Sequence, residues 1–380
     1  MLRNIWAVSR NAYGRKDFPL VLLLFIFPIA LCSLMISMFS AESPYNLPIG
    51  VVAEGGGELQ GKLLRAIDAT KTSEITLRCK DISECSSAMR KGDILAFVYI
   101  PHDLERHAVR LEAPAVTVYT NGQSLLTSKL ITNDIRVAVA TVGAVLVKNT
   151  IQNPIGVELH IVGNPTGNFE YFLGIGLVIA LFHIIAMLLG AYLYAFPIRE
   201  KEVGKWLSLS ENSIVVAYLG RLWPGVLILG SELMGMLAIV RSGMPAIETI
   251  DKVVLYGGGY LMVAVCMAIG ASFVGIVGEM RIALSAAAVV GGPAFAFCGQ
   301  TFPVFAMPLV IRCWTFILPI TQMMQLQSAF FFGHLGIVRA FHAFEILAIF
   351  FVFWSLVAIF TLGARLPRCV KKEEAELCSA

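Results

Sequence analysis

The chain alternates between long apolar blocks and shorter polar stretches, on a length scale that fits membrane-spanning helices. An α-helix needs about 20 mostly apolar residues to cross the hydrocarbon core of a bilayer. The first block, at 18–39, contains no charged residue. Five more blocks of similar length cover 171–196, 222–240, 253–277, 282–302 and 344–362. The pattern predicts six transmembrane helices.

Residues 41–168 form a polar insertion in which strand and helix patterns alternate. The strand patterns read LPIGVV, EITLR, DILAFVYIP and AVTVYT. Helical spacing is found in LQGKLLRAID, ISECSSAMRKG and HDLERHAV, and again over 123–151. Alternating strands and helices predict a small α/β domain with a mostly parallel sheet.

Cationic residues concentrate on one side of the predicted spans. Lys and Arg close to a span are retained in the cytoplasm. This side contains Arg3, Arg10, Arg15, Lys16, Arg199, Lys201, Lys205, Arg221, Arg281, Arg365, Arg368, Lys371 and Lys372, against Arg241, Lys252, Arg312 and Arg339 on the other. Both termini are therefore predicted to be cytoplasmic, and the insertion extracytoplasmic. The predicted fold class is an α-helical polytopic membrane protein with six transmembrane helices and an inserted small α/β extracytoplasmic domain.

The predicted organisation has five parts. A cytoplasmic interfacial helix at 1–17 precedes the first span at 18–39, and the extracytoplasmic domain occupies 40–168. Spans two to six lie within 169–364, with a cytoplasmic loop at 197–218 and a re-entrant segment at 303–320. A cytoplasmic tail follows at 365–380.

Composition supports a membrane protein and argues against a nucleic-acid partner. Hydrophobic residues make up 57% of the chain and charged residues 14%, whereas soluble domains average about 45–50% and 25%. The net charge of +3 is small and scattered. Cys79 and Cys85 are the candidate disulfide pair, if the insertion faces an oxidising compartment.

The stretch GGGELQGKLL at 55–64 approaches the sequence of a phosphate-binding P-loop. Gly56, Gly61 and Lys62 have the spacing of G-x-x-x-x-G-K-[ST], but Leu63 lacks the hydroxyl that binds the metal ion. The alternative is a glycine turn between a strand and an amphipathic helix. The second interpretation fits better, because the predicted sidedness places the stretch away from cytosolic ATP.

No catalytic motif is found in the insertion. His102, Asp103, Glu105 and His107 are close in sequence, and His102 and Glu105 could share a helix face. Without a third ligand clustered with that pair, the residues fit a polar helix start better than a metal site. A nucleophile elbow, a zinc-protease motif and a dinucleotide fingerprint are all missing from the sequence. The insertion is interpreted as a binding or docking domain, and the chain as a non-enzyme.

Two ionisable residues interrupt the apolar blocks. Glu232 lies within the third predicted span, where a charge is costly unless it faces protein or water. It either lines a substrate pathway or makes a structural hydrogen bond. His183, in the second span, allows the same two interpretations, and a helix–helix hydrogen bond is favoured. Glycines in the fourth span, Gly270 among them, permit close helix approach.

The segment FPIREKEVGKWLSLS, at 196–210, places charges beside Gly204 and Trp206 in the loop after the second span. One interpretation is a juxtamembrane anchor, with cations at the headgroups and Trp at the interface. The other is a short amphipathic helix offered to a soluble partner.

This loop resembles the permease subunits of ABC type-2 exporters, which carry an Arg-Glu-x-Glu-x-Gly-Thr signature at this place. Arg199, Glu200, Glu202 and Gly204 match it, Lys201 fills its variable position, and Lys205 stands where the signature has Thr. The resemblance implies that this loop couples the spans to an ATPase.

Two further stretches are similar to the same family. NPTGNFEYFLGIGL, which begins at residue 164, resembles its entry into the second span. GQTFPVFAMPLVIRCWTFILPIT, which begins at residue 299, is similar to its re-entrant segment, and Pro303, Pro308 and Pro319 interrupt the apolar run there. Broken backbone at membrane depth requires cover by protein or a water-lined cavity, which suits an outer gate.

The resemblance also implies the partners. A cytoplasmic ABC ATPase subunit would bind ATP and Mg²⁺, this chain would bind no cofactor, and a second permease would complete a homo- or heterodimer in a bacterial inner membrane. The insertion resembles the domain of a subgroup associated with periplasmic adaptor proteins. The N-terminal helix would either anchor at the bilayer interface or contact the ATPase.

Two other functions compete with an ATP-driven exporter. One is a membrane-anchored sensor or assembly scaffold, whose insertion binds a ligand without transport. The other is an ion-coupled secondary transporter that uses Glu232, although the sequence shows no inverted repeat of three plus three spans.

Overall fold

The computed structural model describes residues 1–15, 17–39, 45–109, 115–120, 125–147, 170–243, 248–302, 304, 307–315, 317–329 and 337–379. The chain forms two compact units, Met1–Ser40 with His160–Ala380, and Ala41–Leu159. The strands are β1 (Leu47–Ala53), β2 (Ser73–Cys79), β3 (Ala96–Ile100) and β4 (Thr117–Thr120). The helices are α1 (Leu2–Tyr13), α2 (Phe18–Val21), α3 (Phe27–Phe39), α4 (Glu58–Asp68), α5 (Ile82–Lys91), α6 (Leu104–Val109), α7 (Leu125–Val147), α8 (Ile175–Arg199), α9 (Val203–Leu209), α10 (Ile214–Val240), α11 (Thr249–Val277), α12 (Met280–Gly291), α13 (Ala294–Phe297), α14 (Leu309–Thr315), α15 (Pro319–Ala329) and α16 (Ile337–Ser379).

The smaller unit is an α/β domain built on a four-stranded sheet in the order β2-β1-β3-β4. β1 pairs in parallel with β2 and β3, and β4 closes the sheet antiparallel to β3. α4 and α5 connect the parallel strands, and the predicted alternation with a mostly parallel sheet is confirmed. Asp81 caps the start of α5, where its side chain accepts a hydrogen bond from the Glu84 amide, and Gly92 caps the end in a left-handed conformation.

Cys79, at the end of β2, and Cys85, in α5, form a disulfide with their Cα atoms 5.6 Å apart. The bond crosses directly over Gly50 of β1. A Cβ atom at Gly50 would lie 2.7 Å from the Cys85 sulfur and 2.7 Å from Cδ1 of Ile94. The absence of a side chain at Gly50 therefore lets the disulfide pack onto the sheet.

We expect Gly50→Ala to destabilise the α/β domain by about 2 kcal/mol, because the added methyl overpacks a closed contact. Amides of β1 and β3 should then exchange hydrogen about 30-fold faster in mass spectrometry. Gly143→Ala in α7 is the matched control, since a Cβ there meets nothing within 4 Å. Equal exchange in the two variants would contradict the packing role of Gly50.

The larger unit is a helical bundle with α8 and α11 at its centre. Six helical segments of the described chain are long and apolar enough to cross a membrane: Phe18–Met35, Tyr171–Arg199, Ile214–Val240, Thr249–Val277, Met280–Phe297 and Ala340–Lys371. α8 and α11 approach to backbone contact. A Cβ at Gly190 would meet the Met267 carbonyl oxygen, and one at Gly270 would lie 2.6 Å from the Ala191 nitrogen. The predicted close approach at Gly270 is confirmed.

Three predicted segments differ from the helices of the structure. The third span begins at Ile214 instead of residue 222, because Ser213 caps the helix, whereas the predicted block begins only after the charge of Arg221. Arg221 therefore lies inside a helix and not between the second and third spans. The fifth span, predicted at 282–302, runs over Met280–Phe297 and contains a break at Pro293 between α12 and α13. The predicted tail at 365–380 continues α16 to Ser379, because its Lys, Glu and Ala residues favour a helix.

Arg365 of α16 joins this last helix to the end of α11. Its guanidinium donates hydrogen bonds to the carbonyl oxygens of Gly275 and Ile276. The carbonyl groups at a helix C-terminus lack partners within the helix and carry a partial negative charge. The contact therefore neutralises the end of α11 and fixes the position of α16 beside it.

The predicted re-entrant segment at 303–320 contains two short helices and extends further than expected. α14 and α15 are bent by 77° from one another, and they would raise the number of candidate spans to seven if counted as one. Pro308 directly precedes α14, and Pro319 is the first residue of α15. Proline suits a helix start, since its missing N–H has no intrahelical partner there. Pro303 lies outside the described residues.

Candidate functional site: the segment between the second and third spans

α9 is a short helix set between two tight turns. Lys201 before it, and Glu211 and Asn212 after it, have left-handed backbones with φ of 57°, 52° and 57°. Such conformations are costly for residues other than glycine and tend to cluster at functional sites. The turns close off a seven-residue helix and fix its direction relative to α8 and α10.

One face of α9 is buried and the other is exposed. Val203, Trp206 and Leu207 are buried at helical spacing, whereas Lys205 and Ser208 face outward. Trp206 is only 1% exposed and meets the Tyr194 ring edge-on at 6.0 Å between centroids. The Trp206 indole therefore anchors α9 in the protein, and Lys205 gives the outer face of the helix a positive charge.

Arg221 of α10 supports α9 from inside the protein. Its guanidinium lies 4.3 Å from the centroid of the Trp206 ring and donates a hydrogen bond to the Leu193 carbonyl oxygen in α8. The side chain is 3% exposed. A cation stacked on an aromatic ring without water is worth about 2 kcal/mol. Arg221 thus connects α8, α9 and α10.

The N-terminal helix holds α9 and α10 from a second side. Arg15, just after α1, forms an ion pair with Glu202 at the start of α9, and its guanidinium lies 4.9 Å from the Phe196 ring centroid. Tyr13 donates a hydrogen bond of 2.7 Å to the Arg221 carbonyl oxygen, and Ser9 donates one of 2.6 Å to that of Gly220. Burial raises the pKa of Tyr13, so its hydroxyl remains a donor.

The six residues matched to the signature divide into two groups. Arg199 pairs with Glu200 at 2.9 Å, and these two, with Lys201 and Lys205, are exposed. Glu202 instead turns toward Arg15, and Gly204 is half-buried. The sequence assigns all six to one coupling loop, and it does not indicate the support by Arg15 and Arg221.

A model of the ABC-2 family transporter proteins matches residues 19–360, which is most of the chain and includes the inserted domain. The chain belongs to this family. It is the membrane component of a transporter, and the spans described above make it a multi-pass membrane protein. No curated protein matches the chain.

The ionisable residues of the spans of this ABC-2 protein occupy different surroundings. His183 is fully buried, and neither ring nitrogen has a hydrogen-bond partner within the part of the chain that the structure describes. The favoured helix–helix hydrogen bond is not formed among the described residues, where the neighbouring α8 side chains pack into an apolar core. Glu232 is half-buried, and its Oε2 has no partner among the described residues. It stays a candidate pathway residue.

The polar cluster at 102–107 of the ABC-2 protein is a helix start. His107 and Asp103 share a hydrogen bond of 2.8 Å one turn apart, and this bond lowers the pKa of the Asp103 carboxyl. Glu105 belongs to the same short helix, α6. Within the described residues, no group of three or more His, Cys, Asp and Glu side chains is arranged to hold a metal ion.

α15 of the ABC-2 protein carries buried amides without partners. In the described part of the chain, both amide atoms of Gln327 and Oε1 of Gln322 lack hydrogen bonds. Gln327 is 1% exposed. Leaving a buried polar group unpaired costs about 1–3 kcal/mol. The segment therefore contains a local instability that suits an element which moves.

We expect Gln327→Met to raise the free energy of unfolding by about 1 kcal/mol, because it removes an unpaired amide at nearly constant volume. Denaturant titration of the detergent-solubilised protein measures this. Gln325→Met, two residues earlier and only half-buried, is the control and should change stability by less than about 0.5 kcal/mol. A loss of stability in Gln327→Met would mean that the amide is satisfied in solution.

Proposed function

We propose that the chain is the permease subunit of an ATP-driven ABC exporter in a bacterial inner membrane. A separate cytoplasmic ATPase subunit binds ATP and Mg²⁺, and this chain binds neither. Two permease subunits, identical or different, form the path along which substrate moves outward. Both termini and α9 face the cytoplasm, and the α/β domain projects from the opposite side.

The observation that carries this proposal is the double support of α9. A short helix that only anchored the chain in the bilayer would need no buried cation beneath it. Here the Arg221–Trp206 contact and the Arg15–Glu202 ion pair tie α9 to α1, α8 and α10. Displacement of α9 by a soluble partner would therefore be transmitted to two spans and to the N-terminal helix.

The exposed charges define the contact that we assign to the ATPase. Arg199, Glu200, Lys201 and Lys205 are exposed on or beside α9. Mixed charges of this kind set the specificity and the association rate of a complex. The α/β domain offers a second surface on the far side, which we assign to a periplasmic adaptor protein.

The test is co-purification with a candidate ABC ATPase subunit that is co-expressed with the chain. Lys205→Glu reverses one exposed charge on α9 and should reduce ATPase recovery and ATP-dependent transport in vesicles. Lys91→Glu, which is exposed on α5 of the α/β domain, is the matched charge reversal and should leave both unchanged. Unchanged ATPase recovery with Lys205→Glu and with Arg199→Glu would contradict the assigned contact.

The same vesicles separate this function from the two alternatives. An exporter stops when ATP is depleted and continues when proton and sodium gradients are collapsed. A secondary transporter using Glu232 behaves in the opposite way, and a sensor or scaffold transports nothing under either condition. Membership in the ABC-2 family supports the first of these outcomes.

A further inference from the structure

The α/β domain contains a cleft of about 340 Å³ at the carboxyl end of β1. A volume of this size lies at the lower end of the range for small-molecule sites. The cleft is lined by Val51, Ala53, Gly55, Gly56, Gly57, Gln60, Gly61, Leu64, Arg78 and Cys79. It thus uses the glycine-rich stretch that approaches a P-loop, although the residues take other roles.

The cleft is not a nucleotide P-loop. In that motif the second glycine and the lysine open the helix, whereas α4 begins at Glu58, so that Gly61 and Lys62 lie inside it. Lys62 is directed to Glu58, with Nζ and Oε1 2.6 Å apart. The cation that lines the cleft is instead Arg78, which lies opposite Val51 in the register of β2 and β1.

The glycine loop leads into the cleft with its backbone donors available. Gly55 has φ of +108°, a conformation that favours glycine. Gly57 is the N-cap of α4, and no side chain accepts a hydrogen bond from the first turn. The free N–H groups at a helix start carry a partial positive charge and attract anions.

Gln60 gives an independent indication of a ligand. The residue is 9% exposed, lines the cleft, and makes no hydrogen bond with the described residues. Its amide atoms are not fully enclosed by protein, so they border the cleft and are open to a partner there. A ligand in the cleft would accept a hydrogen bond from the amide nitrogen.

The charges around the cleft favour an anion. Arg78 has no acidic partner in the described part of the chain, and the residues that line the cleft include no Asp or Glu. Nearby acids have other contacts: Glu58 pairs with Lys62, Glu54 accepts a hydrogen bond from Tyr99, and Glu105 lies against Gly57 without lining the cleft. Val51, Ala53 and Leu64 supply an apolar wall.

We propose that this cleft binds a small organic oxyanion, a carboxylate or a phosphate monoester, that carries a short apolar group. The Arg78 guanidinium, the Gln60 amide and the N–H groups at the start of α4 hold the anionic end. The apolar group lies against Val51, Ala53 and Leu64. The site belongs to the α/β domain alone, and it does not depend on the proposed transport function.

The experiment titrates the purified full-length protein with butyrate, butyl phosphate, inorganic phosphate and uncharged butanamide, using calorimetry. We expect butyrate or butyl phosphate to bind with a dissociation constant below about 10 mM, and butanamide to bind at least about tenfold more weakly. Comparison of the two anions separates a carboxylate site from a phosphate site, and inorganic phosphate measures the contribution of the apolar group. Hydrogen exchange should slow in residues 54–64 on binding.

Two variants test the site by different means. Arg78→Gln removes the cation, and Gly56→Asp adds a negative charge where a Cβ meets nothing within 4 Å. Each should weaken binding at least about tenfold at unchanged thermal stability, whereas Arg90→Gln, exposed on α5, should bind as the unmodified chain does. The proposal is overturned if neither anion binds, if butanamide binds equally well, or if both variants retain full affinity.

Discussion

Gly270→Ala is expected to lower the free energy of unfolding by about 3 kcal/mol and to reduce the yield of folded protein sharply. The new methyl group would lie 2.6 Å from the Ala191 nitrogen and against the Met187 carbonyl oxygen, which are backbone atoms of α8. Side chains can change rotamer to relieve overpacking, but two helix backbones must separate. Thermal unfolding of the detergent-solubilised protein, followed by size-exclusion recovery, measures the loss.

Gly235→Ala in α10 is the matched control for this substitution. It makes the same change within a span, but a Cβ there meets nothing within 4 Å. We expect stability to be unchanged or raised by up to about 1 kcal/mol, because alanine favours a helix more than glycine does. If both variants have the same stability, then Gly270 is not needed for the close packing of α8 on α11.

Arg221→Met is expected to leave the protein folded and to lower ATP-dependent transport about tenfold. Methionine replaces a buried cation at similar volume, a change that stability tolerates well. The stacking on Trp206 and the hydrogen bond to the Leu193 carbonyl oxygen are both lost, and a loss of 1.4 kcal/mol in positioning corresponds to a factor of ten. Transport in vesicles, normalised to the amount of folded permease, measures the effect.

A second measurement locates the effect of Arg221→Met at α9. Trypsin should cleave after Lys201 and Lys205 more rapidly in the variant, since α9 is no longer held. The control is Arg281→Met, which removes an arginine whose side chain is 92% exposed at the start of α12. Normal transport together with normal cleavage in Arg221→Met would show that the stacked cation is dispensable.

The sequence predicts the larger elements well because each depends on a local signal. Apolar blocks identify the six candidate spans, and alternating periods identify the α/β insertion. The errors occur at helix ends, where hydropathy alone does not show whether a polar residue belongs to the helix or to a loop. A single charge, Arg221, interrupts the apolar run of α10, so the predicted block begins only at residue 222, whereas the helix begins at Ile214. The end of α16 is a helix of charged residues. A hydropathy pattern shows that this segment is polar but does not show that it is helical.

The candidate site is predicted in part, because a motif identifies residues but not their partners. The signature match selects the loop that contains α9, together with four exposed charges. It does not indicate that Glu202 is bound by Arg15, a residue 187 positions away. Such a pairing depends on how α1 packs on α10, which no short pattern records. The sequence places Arg221 just before the third span for the same reason, since only the packed helices show that it lies beneath Trp206.

The length of α16 has a mechanical consequence. At 1.5 Å per residue, its 43 residues extend about 65 Å, roughly twice the thickness of the hydrocarbon core. Arg365 fastens the helix to the end of α11 near the point from which its last turns project. If the final span tilts about the contact at Arg365, the last turns of the helix therefore move further than the residues near that contact. The last residues of α16 are therefore the part of this helix that such a tilt would displace most.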